Sequence, residues 1–170
     1  MKQERVYYLV KGGAVLEAIE EFKEKHRAVH EAGEAFKEKY GGGAVYTSRS
    51  CVHGLQFEGE PPEGWFVKKG DPHDCYRPRA KRKACREARK DFDALPVAPG
   101  ATDFARMINV DLVIADGCRV MFPSFELVDD KYILGIPLQK DGSHDEPHGD
   151  CQKLSMSEYW QLKEQVEQAA

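Results

Sequence analysis

Ala14-Val-Leu-Glu-Ala-Ile-Glu-Glu-Phe-Lys-Glu-Lys-His-Arg-Ala-Val-His-Glu-Ala-Gly-Glu-Ala-Phe-Lys-Glu-Lys-Tyr40 is the stretch whose reading decides the fold. Within it Val15, Ile19, Phe22, His26, Val29, Gly33, Phe36 and Tyr40 succeed one another at alternating steps of four and three. An α-helix turning about 100° per residue gathers such a series on one side, so the spacing predicts a helix over 14–40. Its other faces alternate Glu and Lys, as at Glu21 and Lys25, a spacing at which opposite charges meet. Gly41-Gly-Gly43 then ends it. Such a seam either zips two copies together from Val15 to Tyr40 or covers the chain's own sheet. Its span of only about four heptads, with strands elsewhere that need cover, favours the sheet. Gly33 is read as permitting close approach of another backbone, and His26 as a histidine at the edge of the core.

Outward from this helix the chain is rich in strands. Residues 5–10 form a β-prone run, and 44–52 with 54–58 read as two strands or one bent strand. Trp65-Phe-Val67 is a short strand. Pro78 suits a first helical turn, and Ala84, Cys85, Ala88, Phe92 and Leu95 fall on one side of a helix over 78–95. Residues 102–108 form a short helix, which 111–115 either continue or follow as a strand. Asp116-Gly117 is a turn signal. Residues 119–128 and 131–136 flank Asp129-Asp130 as a hairpin, with Pro123 and Pro137 at edge or bulge positions. The polar 139–153 stretch is an exposed loop. Ser155-Met-Ser-Glu158 is a capping box, with Leu154 and Tyr159 placed as its hydrophobic staple and a helix over 156–169. The sum is a single α+β domain over 1–170: a mostly antiparallel sheet covered by a long N-terminal helix, a basic middle helix and a C-terminal helix.

Charge is distributed unevenly. The 170 residues carry a net charge of −4. Residues 66–90 hold ten basic and three acidic side chains, whereas 91–170 hold six basic and fifteen acidic ones. On the predicted 78–95 helix, Arg79, Arg82, Lys83, Arg86, Arg89 and Lys90 occupy one arc opposite the apolar side. Like charges at these spacings repel, so a counter-charge is expected. It comes from the chain's own acidic half, from a phosphate-bearing ligand or nucleic acid, or from an acidic partner protein. Arginine forks suit phosphate. Tyr76 offers a face on which a base can stack, and Arg49, Lys68, Lys69 and Arg77 can join the same surface. An acidic total argues against a duplex binder, whose domain is usually basic overall.

Other chemistry is sparser. Five widely spaced cysteines without a Cys-x-x-Cys pair point to reduced thiols and a cytoplasmic setting. Cys51-Val-His53, His73-Asp-Cys75 and the His144, His148 and Cys151 group are short Cys/His clusters. None has the spacing of a zinc finger or deaminase, so neither metal nor cofactor is expected. Nucleophile-elbow, phosphate-loop and metalloprotease motifs are missing. A metal- or Cys/His-dependent hydrolase of a phosphate ester, with Cys51 and His53 as its nucleophile pair in the second form, is the enzymatic alternative. No apolar run reaches membrane-spanning length, about 18 residues, and Met1-Lys-Gln-Glu-Arg5 leads into no small-residue cleavage site, so no signal peptide is expected.

Tyr46-Thr-Ser-Arg49, Gly54-Leu-Gln-Phe-Glu-Gly59, Pro62-Glu-Gly-Trp65, Cys75-Tyr-Arg-Pro-Arg79, Ala94-Leu-Pro96, Phe122-Pro-Ser-Phe125 and Leu154-Ser-Met-Ser-Glu-Tyr-Trp160 together resemble a group of uncharacterised phage and prophage proteins. The resemblance implies a small accessory protein made in an infected bacterium, one that blocks a host process such as antiviral defence. It would do so by binding a host protein or sequestering a signalling nucleotide. It assigns no residue a role.

Overall fold

The computed structural model describes residues 4–47, 50–115 and 119–169. The predicted Asp116-Gly117 turn and Cys118 lie outside them. In chain order the elements are β1 (Arg5–Val10), α1 (Gly13–Tyr40), β2 (Gly43–Thr47), β3 (Cys51–Gln56), β4 (Trp65–Val67), β5 (Tyr76–Pro78), α2 (Arg86–Asp93), α3 (Ala101–Met107), β6 (Val113–Ala115), β7 (Arg119–Met121), β8 (Ser124–Val128), β9 (Lys131–Pro137), β10 (Cys151–Leu154) and α4 (Met156–Ala169). Every strand pairing is antiparallel, and the α+β class holds. The chain forms two compact units, residues 1–22 with 100–170, and residues 23–99.

In the first unit the sheet runs β10-β1-β9-β8. Alternation along β1 sends Val6, Tyr8 and Val10 to one face. There they meet Val15 and Ile19 of α1, Phe104 of α3 and Ile108 just after it, and Leu134 and Ile136 of β9. Tyr7 and Leu9 turn to the other face and pack with Ile133, Val128, Leu154 and Tyr159. A sheet covered on both faces explains why β9 is buried at every position after Lys131. Between β8 and β9, Asp129 and Asp130 have φ of 49° and 56°, the paired left-handed conformation of a two-residue hairpin turn. The expected strand over 119–128 is split: β7 pairs with β6, and β8 with β9. The break falls at Phe122-Pro123, where proline has no N–H to carry a ladder. Residues 113–115 resolve as a strand rather than as helix.

The capping box forms as read. Ser155 Oγ accepts the Glu158 N–H at 3.2 Å, and the Glu158 carboxylate accepts the Ser155 N–H at 2.7 Å. The flanking Leu154 and Tyr159 are both buried. The loop ends sooner than 153, because β10 takes Cys151–Leu154.

In the second unit the sheet runs β2-β3-β5-β4. Residues 44–58 give two strands, not one bent strand. From α1, Phe36 packs with Leu55, Trp65, Cys85 and Ala88, and Val29 with Val52 and Ala98. All eight seam positions are buried or half-buried within the chain, so the seam covers the protein's own core and is not a free zipper for a second copy. A Cβ on Gly33 would stand 2.5 Å from Tyr46 Oη and 2.9 Å from Val52 Cγ2. What approaches Gly33 is therefore two side chains rather than the expected backbone.

The middle helix is the main correction. It covers Arg86–Asp93, preceded by a single 3-10 turn at Lys83–Cys85, instead of 78–95. Pro78 pairs with Trp65 as the end of β5, and the Arg79 N–H continues the hairpin to Gly64 O at 3.3 Å. Arg82 is still extended, at φ −92° and ψ 130°. Non-local pairing thus takes the first residues that the helical period had claimed.

Candidate functional site

The segment between β4 and β5, residues 68–75, folds on itself. Asp71 N–H bonds Lys68 O at 2.9 Å, and Asp71 Oδ1 accepts the His73 N–H at 2.9 Å. Such an Asx turn is a local habit of aspartate, and here it carries the carboxylate inward. The Asp71 side chain is 2 % exposed. A buried carboxylate needs a partner, and two strands supply them. From β5, Arg77 Nη2 donates to Asp71 Oδ2 at 2.6 Å while Arg77 Nε donates to His53 O at 2.8 Å. From β3, His53 Nε2 lies 3.0 and 2.9 Å from the two Asp71 oxygens. Arg77 Nη2 also contacts His53 Nε2. The His73 N–H first, then His53 and Arg77, hold the Asp71 carboxyl below the usual carboxylate range.

Cys75 closes this cluster from beneath. It is fully buried, and burial pushes its thiol pKa up. One donor atom each from His53, Asp71 and Cys75 lies within 4.8 Å of the others. The His73 ring stands 4.6 Å from that of His53, tilted 68°. Gly54 makes the approach feasible, since a Cβ there would meet Tyr76 O at 2.6 Å and Cys75 Sγ at 2.7 Å. Three of the four residues in the two central Cys/His pairs therefore gather. Cys51 does not join: its Sγ lies 2.8 Å from Thr47 Oγ1, and among the described residues no hydrogen bond links it to His53. Asp71 was not singled out from sequence, though Asp71-Pro-His73 carried the turn signal that places it.

The cations expected on one helical arc are placed differently. Arg49 lies outside the described residues. Lys68 and Lys69 are exposed. Arg77 is committed to Asp71. Arg79 and Arg82 precede the helix, and the Arg79 guanidinium lies 5.0 Å over the Phe66 ring. Lys83 is in the 3-10 turn, and Arg86, Arg89 and Lys90 are on α2. Arg89 pairs with Asp93 at 2.7 Å, one turn further on. Among the described residues no ion pair engages Lys68, Lys69, Arg79, Lys81, Arg82, Lys83, Arg86 or Lys90, and all eight are exposed. Glu87 and Asp91, the other two acids on the same helix, both pair with Lys39 at 2.7 Å.

Tyr76, at the start of β5, is half-buried. It lines a cavity of about 460 Å³ with Gly43, Gln56, Phe57, Glu58 and Asp74, and packs edge-on against Phe57. Two carboxylates in that lining repel an anion. In the third Cys/His group the residues go separate ways. His144 Nε2 meets Tyr8 Oη at 2.7 Å, His148 Nε2 meets Asn109 Nδ2 at 2.9 Å, and Cys151 begins β10.

No family model, no curated protein and no solved structure matches this chain.

Proposed function

We propose that this chain is a non-enzymatic binding protein whose Arg79–Lys90 surface docks an acidic segment of another protein. The observation that carries the reading is the run of exposed cations at 79, 81, 82, 83, 86 and 90 that no ion pair engages among the described residues, beside which the local acids are already spent on Lys39 and Arg89. Arginines held without a counter-charge repel one another, and an incoming anionic chain relieves that repulsion.

Two other partners fit less well. A compact nucleotide would want Tyr76 for stacking, and its cavity carries Glu58 and Asp74. Duplex nucleic acid favours a basic protein, and this one has a net charge of −4. A host protein bearing an acidic patch, as the phage-type resemblance implies, matches the same chemistry.

The test is a titration against poly-L-glutamate, a mononucleotide, a cyclic dinucleotide and duplex DNA at low and moderate salt. Binding of polyglutamate that weakens with salt and disappears in the Arg82→Glu/Arg86→Glu variant is the expected result. Failure to bind polyglutamate, or binding that the variant leaves intact, overturns the proposal.

A further inference from the structure

We infer that His53 Nε2, an Asp71 carboxylate oxygen and Cys75 Sγ form a site for a zinc-like divalent ion, which ties β3 to the 68–75 segment. The inference is independent of the docking surface. It begins from convergence: a nitrogen donor from β3 and an oxygen and a sulfur donor from the 68–75 segment lie within 4.8 Å of one another. A tetrahedral zinc with ligands at about 2.0–2.3 Å holds its donors roughly 3.3–3.8 Å apart. Closing the present spread takes side-chain shifts on the order of 1 Å by the same geometry. The mixed N, O and S set selects zinc and its neighbours over magnesium or calcium, which want oxygen alone.

Hydrogen bonding points the same way. His53 Nε2 faces both Asp71 oxygens and also Arg77 Nη2. One imidazole nitrogen either donates or accepts, so it cannot satisfy the carboxylate and the guanidinium at once. A cation on that lone pair, shared with the Asp71 carboxylate, satisfies the imidazole and the carboxylate together and leaves Arg77 to turn outward. His73, with its ring 4.6 Å from that of His53, is at hand for a fourth position by rotation of its side chain.

Arg77 is the competitor. Its guanidinium supplies the positive charge that Asp71 needs. Coordination hands that role to the metal, releases Arg77 from the carboxylate, and replaces the Cys75 S–H bond by a sulfur–metal bond with loss of one proton.

Cobalt(II) titration of the purified full chain reads the site directly. Expected are one equivalent bound, a thiolate-to-cobalt charge-transfer band, and displacement of that band by zinc. Cys75→Ser should remove the band and weaken binding at least about tenfold. Arg77→Gln should keep the band and tighten binding, since a cation no longer competes for Asp71. Should Cys75→Ser fail to fold, alkylation of the wild-type chain decides: zinc should protect Cys75 and leave Cys51 reactive. A missing charge-transfer band, a band that survives Cys75→Ser, or a Cys75 alkylated equally fast with zinc overturns the proposal. Those outcomes would leave His53, Asp71 and Arg77 as a purely structural ion cluster.

Discussion

Arg77 Nη2 sits 2.6 Å from Asp71 Oδ2, with 21 % of the arginine side chain and 2 % of the aspartate side chain exposed. A pair this far out of water has lost its hydration, and removing one partner strands the other. Arg77→Ala should therefore lower Tm by more than an exposed arginine would, on the order of 5–10 °C. Arg77→Ala/Asp71→Asn should recover part of that loss, because no bare carboxylate remains. Thermal melts of the two single variants and the double variant give the coupling. Additive losses would mean that the pair is not coupled.

Gly54 sets how closely β5 can lie against β3. A Cβ there would stand 2.6 Å from a backbone oxygen, that of Tyr76, and backbone cannot step aside as a side-chain tip can. Gly54→Ala should cost about 2 kcal/mol or more through displacement of β5. It should also disturb the cluster, since Cys75 and Arg77 bracket the obstructed residue. Urea unfolding measures the first effect. Faster alkylation of Cys75 in the folded state reports the second.

What could be read from sequence follows the range of the interactions involved. The seam from Val15 to Tyr40, the Asp129-Asp130 turn and the Ser155–Glu158 cap each depend on residues a few positions apart, so their signals survive in a linear reading. The start of the middle helix does not. Residues 79–82 fit a helical period as well as 86–93 do, and only the pairing of Trp65 with Pro78 shows that the hairpin claims them first. The same holds for the His53 cluster. Its members come from β3, an Asx turn and β5, and the carboxylate that organises it is 18 residues from its histidine.

The capping box gives a clean local test. Ser155 Oγ is the acceptor for the Glu158 N–H at the start of α4. Ser155→Ala should cost about 1 kcal/mol, a fall in Tm of roughly 2–4 °C for a chain of this size. Ser155→Thr should retain most of the stability. Equal losses in both variants would show that the hydroxyl does not act as the cap.

Stability should not depend on the exposed cations. Arg82 and Arg86 have no acidic partner among the described residues, and each has like-charged neighbours in sequence. Arg82→Ala and Arg86→Ala should leave stability within about 0.5 kcal/mol, with any change weakly positive as repulsion is relieved. A marked fall in Tm would place their counter-charge inside the protein and remove the ground for a docking surface.

Titration should bound stability from both sides. The carboxyls of Asp71, Asp91 and Glu158 are held low, by the His73 N–H, by Lys39, and by the Ser155 hydroxyl respectively. A carboxyl with a depressed folded pKa adds stability that is present above its unfolded value, near 4, and is lost as pH falls through the folded value. The phenols of Tyr8, Tyr46 and Tyr159 are pushed up, chiefly by burial. A raised phenol adds stability that is intact below its unfolded value, near 10, and is lost as pH climbs toward the folded one. The Cys75 and Cys151 thiols, also pushed up by burial, act the same way from their unfolded value near 8.5. The urea midpoint should then be nearly flat from about pH 5 to 8, falling on the acid side below about 4 and on the alkaline side from about 8.5 upward. Asp71→Asn should be less stable than wild type at neutral pH yet lose less on acidification, because one of the low-titrating carboxyls is gone. Parallel acid limbs in the two proteins would show that Asp71 does not contribute through its charge.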